Sequence, residues 1–180
     1  MRNAKLISAA FVVGAAAAGV ALKAMGAPPN VEGLMPFVLA LGLVFGPVYG
    51  FVNGLLIRAL YDGYLSWAGP WTVFTSLSYG VVGLLAGFAG RFKRNWGRLE
   101  LTALAAGLTL VYDAVTMLAF GAMLGIPFAA LVAGQVPFTL VHVAGNVVFV
   151  FLFAPVLAKA ANKATQEELG FSRLLSFWRV

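Results

Sequence analysis

Long apolar runs limit what this chain of 180 residues can fold into. Hydrophobic residues make up 62% of the chain and charged residues only 10%, whereas a typical soluble domain is about 25% charged. A water-soluble surface cannot be built from so few charges, but helices of about 20 apolar residues can cross the hydrocarbon core of a bilayer. The sequence therefore predicts an all-α integral membrane protein, formed as a single domain over residues 1–180, with residues 1–160 as the bundle.

Glycine and proline divide the apolar runs into six predicted helices, because proline lacks the amide donor that a helix needs. The segment 128–133 is too short to span and is predicted as a re-entrant or surface turn. Residues 161–180 are predicted to form a cytoplasmic amphipathic tail at the membrane surface. Thr72 is the predicted N-cap of the fourth helix. The predicted helices are Lys5–Met25, Leu34–Phe45, Val48–Trp67, Thr72–Phe92, Leu101–Leu124 and Phe138–Ala160.

The basic residues test this number of helices, because Lys and Arg in short loops concentrate on the cytoplasmic side. With six helices and both termini in the cytoplasm, ten of the twelve Lys and Arg residues lie inside, Lys23 lies outside and Arg58 lies within a helix. An unbroken helix over 34–67 would give five helices, with nine basic residues inside and two outside. The Gly46-Pro47 break favours six. The net charge of +6 then indicates orientation in the cell membrane rather than nucleic-acid binding.

Ionisable residues inside the apolar runs need a partner or a function, since each costs roughly 2.5–3.5 kcal/mol on insertion scales. Arg58 and Asp62 are four residues apart on one helix face, which predicts a structural ion pair. Asp113 shares a face with Thr109 and Thr116. For Asp113, a carboxylate that lines a polar cavity is favoured over a buried ion pair, because no basic residue lies near it in the sequence.

His142 and Asn146 are also four residues apart and share a helix face. They predict either the wall of a ligand pocket or interhelical hydrogen bonds that only hold the bundle together. A metal site is not expected, because one His without Cys or acidic ligands at suitable spacing provides too few ligands. The chain has no Cys and no hydrolase motif such as Gly-x-Ser-x-Gly. The sequence therefore predicts no enzyme activity.

Two further patterns concern surfaces. Ala10, Gly14 and Ala18 recur at every fourth position of the first helix, and small residues at this spacing let another helix approach closely, in this molecule or in a partner. Trp71 lies with Tyr64 and Trp67 where the third and fourth helices meet. These aromatics predict an interfacial belt or a surface that stacks on a flat ligand.

Four groups of residues, spread from about Asn30 to Pro155, resemble the substrate-binding S components of energy-coupling factor (ECF) transporters. The order of these groups along the chain and the six predicted helices together support the resemblance. The groups are Pro29-Asn30-Val31, Leu43-Val-Phe-Gly46-Pro47, Gly69-Pro70-Trp71-Thr72 followed by Tyr79-Gly80-Val-Val-Gly83-Leu-Leu-Ala-Gly87, and Pro137-Phe-Thr-Leu-Val-His142-Val-Ala-Gly145-Asn146.

The resemblance implies a six-helix protein with cytoplasmic termini that binds a vitamin or related micronutrient from outside, without a cofactor. Such proteins deliver the vitamin by toppling in the membrane on a transmembrane coupling subunit driven by two cytoplasmic ATPases. The coupling subunit would dock on Ala10, Gly14 and Ala18. The positions that match the family's substrate pocket are Asn30, Trp71, Thr72, Tyr79, Tyr112, Asp113, Thr116, His142 and Asn146.

The resemblance leaves the vitamin open, and no signature of members that bind thiamin, riboflavin or biotin is identified in the sequence. The Gly-Pro-Trp-Thr group is closest to members linked to cobalamin or to no known substrate. An alternative function is a stand-alone secondary carrier or small channel in which Asp113 and His142 relay protons. Secondary carriers often contain inverted repeats, and the sequence shows none.

Overall fold

The computed structural model describes the backbone of residues 2–65 and 68–177, and the side chains of 5–65, 68–164 and 166. Within these ranges every regular element is a helix, which confirms the all-α prediction and the number of six helices. Trp67, predicted to end the third helix and to join the aromatic belt, lies outside the described residues. The helices are α1 (Arg2–Ala24), α2 (Met35–Phe45), α3 (Pro47–Tyr64), α4 (Pro70–Phe92), α5 (Arg98–Leu124) and α6 (Phe128–Phe177).

A single glycine separates α2 from α3. Gly46 has φ = +88°, in the left-handed region that residues with a Cβ avoid, and its amide donates to the carbonyl of Gly42 at 2.8 Å. Pro47 then occupies the first helical position of α3, where its missing amide costs nothing. The five-helix alternative, with an unbroken helix over 34–67, is therefore wrong.

The start of α4 differs from the prediction. Gly69 is the N-cap and Pro70 is the first helical residue, so the predicted N-cap, Thr72, is wrong. Thr72 is instead the third helical residue, and its Oγ1 accepts the amide of Gly69 at 3.1 Å. Proline favours the first position of a helix, which moves the start two residues towards the N-terminus.

The start of α6 also differs. The helix begins at Phe128 and passes through Pro137 and Pro155, so the predicted turn at 128–133 and the predicted start at Phe138 are both wrong. Gln135 Nε2 donates to Thr139 Oγ1 at 2.9 Å across the turn that contains Pro137. Membrane helices tolerate proline where neighbouring groups satisfy the freed backbone, and proline therefore does not end this helix.

Glycines set the closest helix contact in the bundle, between α3 and α4. A Cβ added to Gly50, Gly54 or Gly83 would overlap the backbone of the facing helix. Small residues allow this approach, as they do in many membrane bundles. The central helix is α2, in which Val38 and Leu41 are fully buried.

The outer surface of the bundle is apolar. Leu110, Leu140 and Val156 are each more than half exposed, as expected for side chains that face lipid. Four described helical segments are long and apolar enough to span a bilayer: Lys5–Ala24, Pro70–Phe92, Arg98–Leu124 and Phe128–Ala164. The short α2 is apolar as well. The chain is thus an integral membrane bundle.

The two ends of the bundle differ in charge and shape. One end, called the pocket end below, contains the α1–α2, α3–α4 and α5–α6 connections. The other, called the basic end, contains the start of α1, the α4–α5 connection and α6 from about residue 155 onwards. Basic residues concentrate at the basic end: Lys5, Arg91, Lys93, Arg94, Arg98, Lys159 and Lys163.

Candidate substrate-binding site

A cavity of about 290 Å³ lies at the pocket end, close to the lower limit of the ~300–1,000 Å³ typical of small-molecule sites. Its walls come from the α1–α2 loop, α3, α4, α5 and α6. The aromatic lining residues are Trp71, Tyr112, Phe120, Phe138 and His142, the polar ones are Asn30, Glu32, Arg58, Thr75, Thr116 and Gln135, and Met117 and Leu131 complete the wall.

The α1–α2 loop contributes two polar side chains because of its backbone shape. Asn30 has φ = +68° and Gly33 has the same value; asparagine tolerates this left-handed region better than most residues, and glycine adopts it freely. Lys23 at the end of α1 donates to the carbonyl of Pro28 at 2.7 Å, which ties the loop to the helix before it. Asn30 and Glu32 are thereby held at the cavity wall.

Arg58 joins this loop to α3. Its Nη1 lies 2.6 Å from Glu32 Oε2, and its Nη2 lies 3.0 Å from Asp62 Oδ1. The predicted Arg58–Asp62 pair is therefore present. Glu32, the second partner, was not predicted, because the loop between α1 and α2 has no periodicity from which to infer a contact. The single cation is shared by two carboxylates at the edge of the cavity.

Asp62 in turn organises the start of α4. Its Oδ2 accepts hydrogen bonds from Thr72 Oγ1 at 2.9 Å and Thr75 Oγ1 at 3.4 Å. Thr75 also lines the cavity, whereas Thr72 is used in this network and in capping α4. The carboxylate of Asp62, which is only 1% exposed, is thus paired with Arg58 at Oδ1 and accepts its shorter hydrogen bond from Thr72 at Oδ2.

A second buried polar contact joins α5 to α6. Asp113 Oδ1 lies 2.7 Å from His142 Nδ1, and the two residues are 2% and 3% exposed. His142 lines the cavity, but Asp113 lies behind it and does not. The expectation that Asp113 lines a polar cavity rather than forming a buried pair is therefore wrong; the partner comes from another helix, 29 residues along the chain. Because Asp113 holds Nδ1, the other ring nitrogen of His142 remains available to a ligand.

The wall around His142 is aromatic. The ring of Tyr112 lies edge-on to His142 with the centroids 5.4 Å apart, and Phe138 does so at 5.9 Å. Tyr79 packs edge-on against Tyr112 at 4.8 Å and is 1% exposed. Tyr79 therefore supports the wall from behind. Edge-to-face packing of this kind holds the rings in fixed positions.

Asn146 lies outside the cavity lining. Its Nδ2 donates to Thr109 Oγ1 at 3.0 Å, and Thr109 donates to the carbonyl of Ala105 at 2.8 Å. This contact links α6 to α5 and is fully buried. It matches the alternative of an interhelical hydrogen bond that holds the bundle together.

The structure brings together five of the nine residues predicted for the substrate site, and places the other four in the layer behind. The five in the cavity wall are Asn30, Trp71, Tyr112, Thr116 and His142; the four behind are Thr72, Tyr79, Asp113 and Asn146. Leu131 and Gln135 were missed because residues before 138 were predicted to lie outside the last helix, whereas Phe138 begins the predicted helix one turn before His142. Thr75, Met117 and Phe120 follow predicted residues by one turn, and helical spacing alone identifies them.

The small residues of α1 face two environments. Ala10 and Gly14 are exposed, and a Cβ on Gly14 would meet no atom within 4 Å. Ala18 is partly buried and borders an apolar cavity of about 320 Å³, together with Phe149 and Phe153 of α6. The first two positions of the stripe are thus open to a neighbouring helix.

An apolar six-helix bundle with an aromatic and polar cavity at one end defines a multi-pass membrane protein with a candidate site for a small molecule. Residues 4–159 match the family model described as ECF-type riboflavin transporter, S component. The chain belongs to this family, whose members are transport proteins of the cell membrane and not enzymes.

Two curated proteins, both named UPF0397 protein and both from strains of Clostridium perfringens, are each 37% identical to the chain over 73 residues. The match covers 40% of this chain and 38% of each relative. The chain thus matches about two fifths of the length of these relatives. No solved structure matches the chain significantly.

Proposed function

We propose that the cavity at the pocket end binds a flat, ring-containing vitamin from outside the cell, with riboflavin as the first candidate. The observation that supports this most directly is the cavity lining, in which Trp71, Tyr112, Phe138 and His142 combine with a few polar side chains. Such a lining suits a planar aromatic ring with polar edges. The family description, which names riboflavin, points to the same kind of ligand.

The charges around the cavity favour an uncharged or cationic ligand. Among the described lining residues Arg58 is the one Lys or Arg, and Glu32 and Asp62 already share its charge. Asp113 adds a third carboxylate behind the wall. A phosphate ester would bring further negative charge to this wall, where no second Lys or Arg lines the cavity among the described residues, and like charges repel strongly where water is excluded. Free riboflavin should therefore bind better than its phosphate ester.

Binding can be measured by calorimetry on the purified chain without partners. Riboflavin should bind, its phosphate ester should bind more weakly, and cobalamin serves as the second candidate, since the Gly-Pro-Trp-Thr group resembles members linked to it. A cavity of about 290 Å³ suits a fused-ring ligand better than a corrin macrocycle. No binding by any common vitamin would refute the proposal.

Phe138→Ala provides a test of the site itself. Phe138 lines the cavity and is 39% exposed, and loss of its ring should raise the Kd about tenfold, since aromatic contacts contribute ~0.5–1.5 kcal/mol beyond burial. Phe151→Ala is the matched control, because Phe151 lies on the same helix, is also 39% exposed and does not line this cavity. Equal effects of the two changes on the Kd would mean that the ligand does not bind in this cavity.

Delivery completes the proposed function. The bound vitamin is released to the cytoplasm when the bundle topples on a transmembrane coupling subunit, driven by two cytoplasmic ATPases. The exposed positions Ala10 and Gly14 on α1 support docking there, because a partner helix can approach them closely. Uptake by cells should accordingly need all the partners, whereas binding should need none.

The second candidate is a stand-alone carrier with Asp113 and His142 as a proton relay, and the 2.7 Å contact between them is the observation that favours it. The chain alone, reconstituted in liposomes, would then take up the vitamin when a pH gradient is applied, and Asp113→Asn would abolish that uptake. Absence of uptake without partners, with binding intact, excludes the carrier and supports the S component.

A further inference from the structure

A second cavity lies at the basic end of the bundle and plays no part in the proposed vitamin site. It has a volume of about 620 Å³ and lies between the end of α2, the end of α4 and the part of α6 near residue 162. Its polar wall consists of Arg91, Arg94, Asn95, Asn162 and Gln166. A cavity of about 230 Å³ beside it shares Arg94, Asn95 and Asn162.

Among the side chains that the structure describes, the charge in this region is positive and largely uncompensated. No carboxylate lines either cavity among the side chains that the structure describes. Lys93, which lines the smaller cavity, is paired with Glu100 at 2.5 Å. Arg94 and Lys159 have no carboxylate partner within the described part of the chain. Two unpaired cations therefore face the same space from α6 and from the α4–α5 connection.

Helix dipoles do not determine whether this cavity binds an anion or a cation. The cavity borders the C-terminal ends of α2 and α4, which carry partial negative charge, and the N-terminal end of α3, which carries partial positive charge. These contributions oppose each other. The side chains of Arg91 and Arg94 therefore set the sign of the potential, and that sign favours an anion.

The surroundings indicate that the anion belongs to an amphiphile. Leu43, Val44 and Phe45 line the same cavity as the basic side chains and form its apolar part. On α4, Phe92 is 90% exposed and Phe88 is 41% exposed, beside Arg91. The apolar part of α4 ends here, so the cavity lies where the hydrocarbon core meets the headgroups. A molecule with a phosphate at one end and acyl chains at the other matches both the basic side chains and the apolar surface beside them.

We propose that this cavity binds the phosphate headgroup of an anionic phospholipid. A guanidinium group donates two parallel hydrogen bonds to a phosphate, which makes Arg91 and Arg94 suitable ligands, and the amides of Asn95 and Asn162 add donors beside them. The acyl chains lie along Phe88 and Phe92. Lipid bound here would fix the basic end of the bundle at the membrane surface.

Native mass spectrometry of the full-length chain tests the proposal, with phosphatidylglycerol and phosphatidylcholine as the two lipids. The wild type should retain phosphatidylglycerol in preference to phosphatidylcholine. Arg94→Gln should weaken retention about tenfold or more, as expected for a lost charge-assisted hydrogen bond. Lys5→Gln removes the same charge at the same end but outside the cavity, and should weaken it no more than about fivefold, the general effect of one basic residue at an anionic surface.

Three results would overturn the assignment. Equal retention of the two lipids would mean that the site has no preference for anions. Equal loss in Arg94→Gln and Lys5→Gln would mean that only the general surface charge acts. Displacement of the lipid by inorganic phosphate at similar concentration would show a site for free phosphate instead. If Arg94→Gln fails to fold, Asn162→Asp is the second variant: a carboxylate inside the cavity should repel the lipid, and unchanged retention would contradict the proposal.

Discussion

Arg58 shows how one residue can tie a binding site to the bundle. Its guanidinium group contacts a carboxylate from the α1–α2 loop and another from its own helix, and it lies 5.3 Å from the ring centroid of Tyr61. Asp62 extends the network to Thr72 and Thr75 of α4. The α1–α2 loop at the cavity wall is therefore held to α3 by a charge network.

Replacing Arg58 should destabilise the protein far more than replacing its loop partner. Arg58→Gln leaves Asp62 without its cation and breaks the ion pair with Glu32, and breaking a buried pair in this way costs about 3–5 kcal/mol. Glu32→Gln keeps the Arg58–Asp62 pair and leaves an amide oxygen to accept a hydrogen bond, so its cost should be about 1 kcal/mol. Thermal unfolding in detergent measures both. Similar melting temperatures for the two variants would contradict the role given to Arg58.

Contacts within one helix were predictable from the sequence, and contacts between helices were not. The Arg58–Asp62 pair follows from a spacing of four residues. The same rule put His142 and Asn146 on one face, but their partners Asp113 and Thr109 lie on α5 and depend on how two helices pack. Glu32 lies in a loop whose path depends on Asn30 and Gly33, and one sequence gives no signal for it. Spacing therefore identified the polar residues but not which of them reach the cavity.

Among the helices, α3 and α4 depend most on residues without a side chain. A Cβ at Gly83 would overlap the backbone of Gly50. Gly83→Ala should lower the free energy of unfolding by about 1–3 kcal/mol, the usual cost of overpacking. Gly107→Ala is the control, because a Cβ there meets no atom within 4 Å, and it should stabilise α5 by up to about 1 kcal/mol through helix propensity. If both substitutions shifted the unfolding midpoint in the same direction, the proposed dependence of the α3–α4 contact on Gly83 would be refuted.

The first helix allows docking to be separated from folding. Gly14→Leu adds a large side chain where no atom lies within 4 Å, so the isolated protein should fold and bind vitamin as before. Assembly with the coupling subunit should be lost, because the partner helix can no longer approach. Gly107→Leu makes the same change at an equally open position of α5 and should leave assembly intact. Co-purification with the coupling subunit and the ATPases measures both; assembly of the Gly14→Leu variant would exclude docking at this position.

Helix boundaries were predicted well where glycine adopts a left-handed backbone and poorly where proline stood alone. Gly46 has φ = +88° and separates two helices, as the sequence indicated. Pro137 was predicted to precede a helix and lies inside one, because the membrane leaves the backbone few alternatives to helical hydrogen bonds. That error removed the first ten residues of α6 from the predicted bundle, and with them Leu131 and Gln135 from the predicted cavity.

In the molecule as a whole, the two ends of the bundle differ in charge, and this difference predicts the orientation of the bundle in the membrane. The cavity with its three nearby carboxylates lies at one end, and all but two of the Lys and Arg residues whose side chains are described lie at the other. Basic residues next to membrane spans remain on the cytoplasmic side. The pocket end should therefore face outwards, as uptake from outside the cell requires, and both chain ends should lie in the cytoplasm.

The absence of cysteine from the chain makes this orientation measurable with single substitutions. Met25 at the pocket end and Leu99 at the basic end are 75% and 76% exposed, so Met25→Cys and Leu99→Cys form a matched pair. In intact cells, a maleimide that cannot cross the membrane should label only Met25→Cys. After permeabilisation it should label both, which controls for reactivity. Labelling of Leu99→Cys alone in intact cells would mean that the bundle has the opposite orientation, with its cavity open to the cytoplasm. Such a cavity could not capture a vitamin from outside the cell.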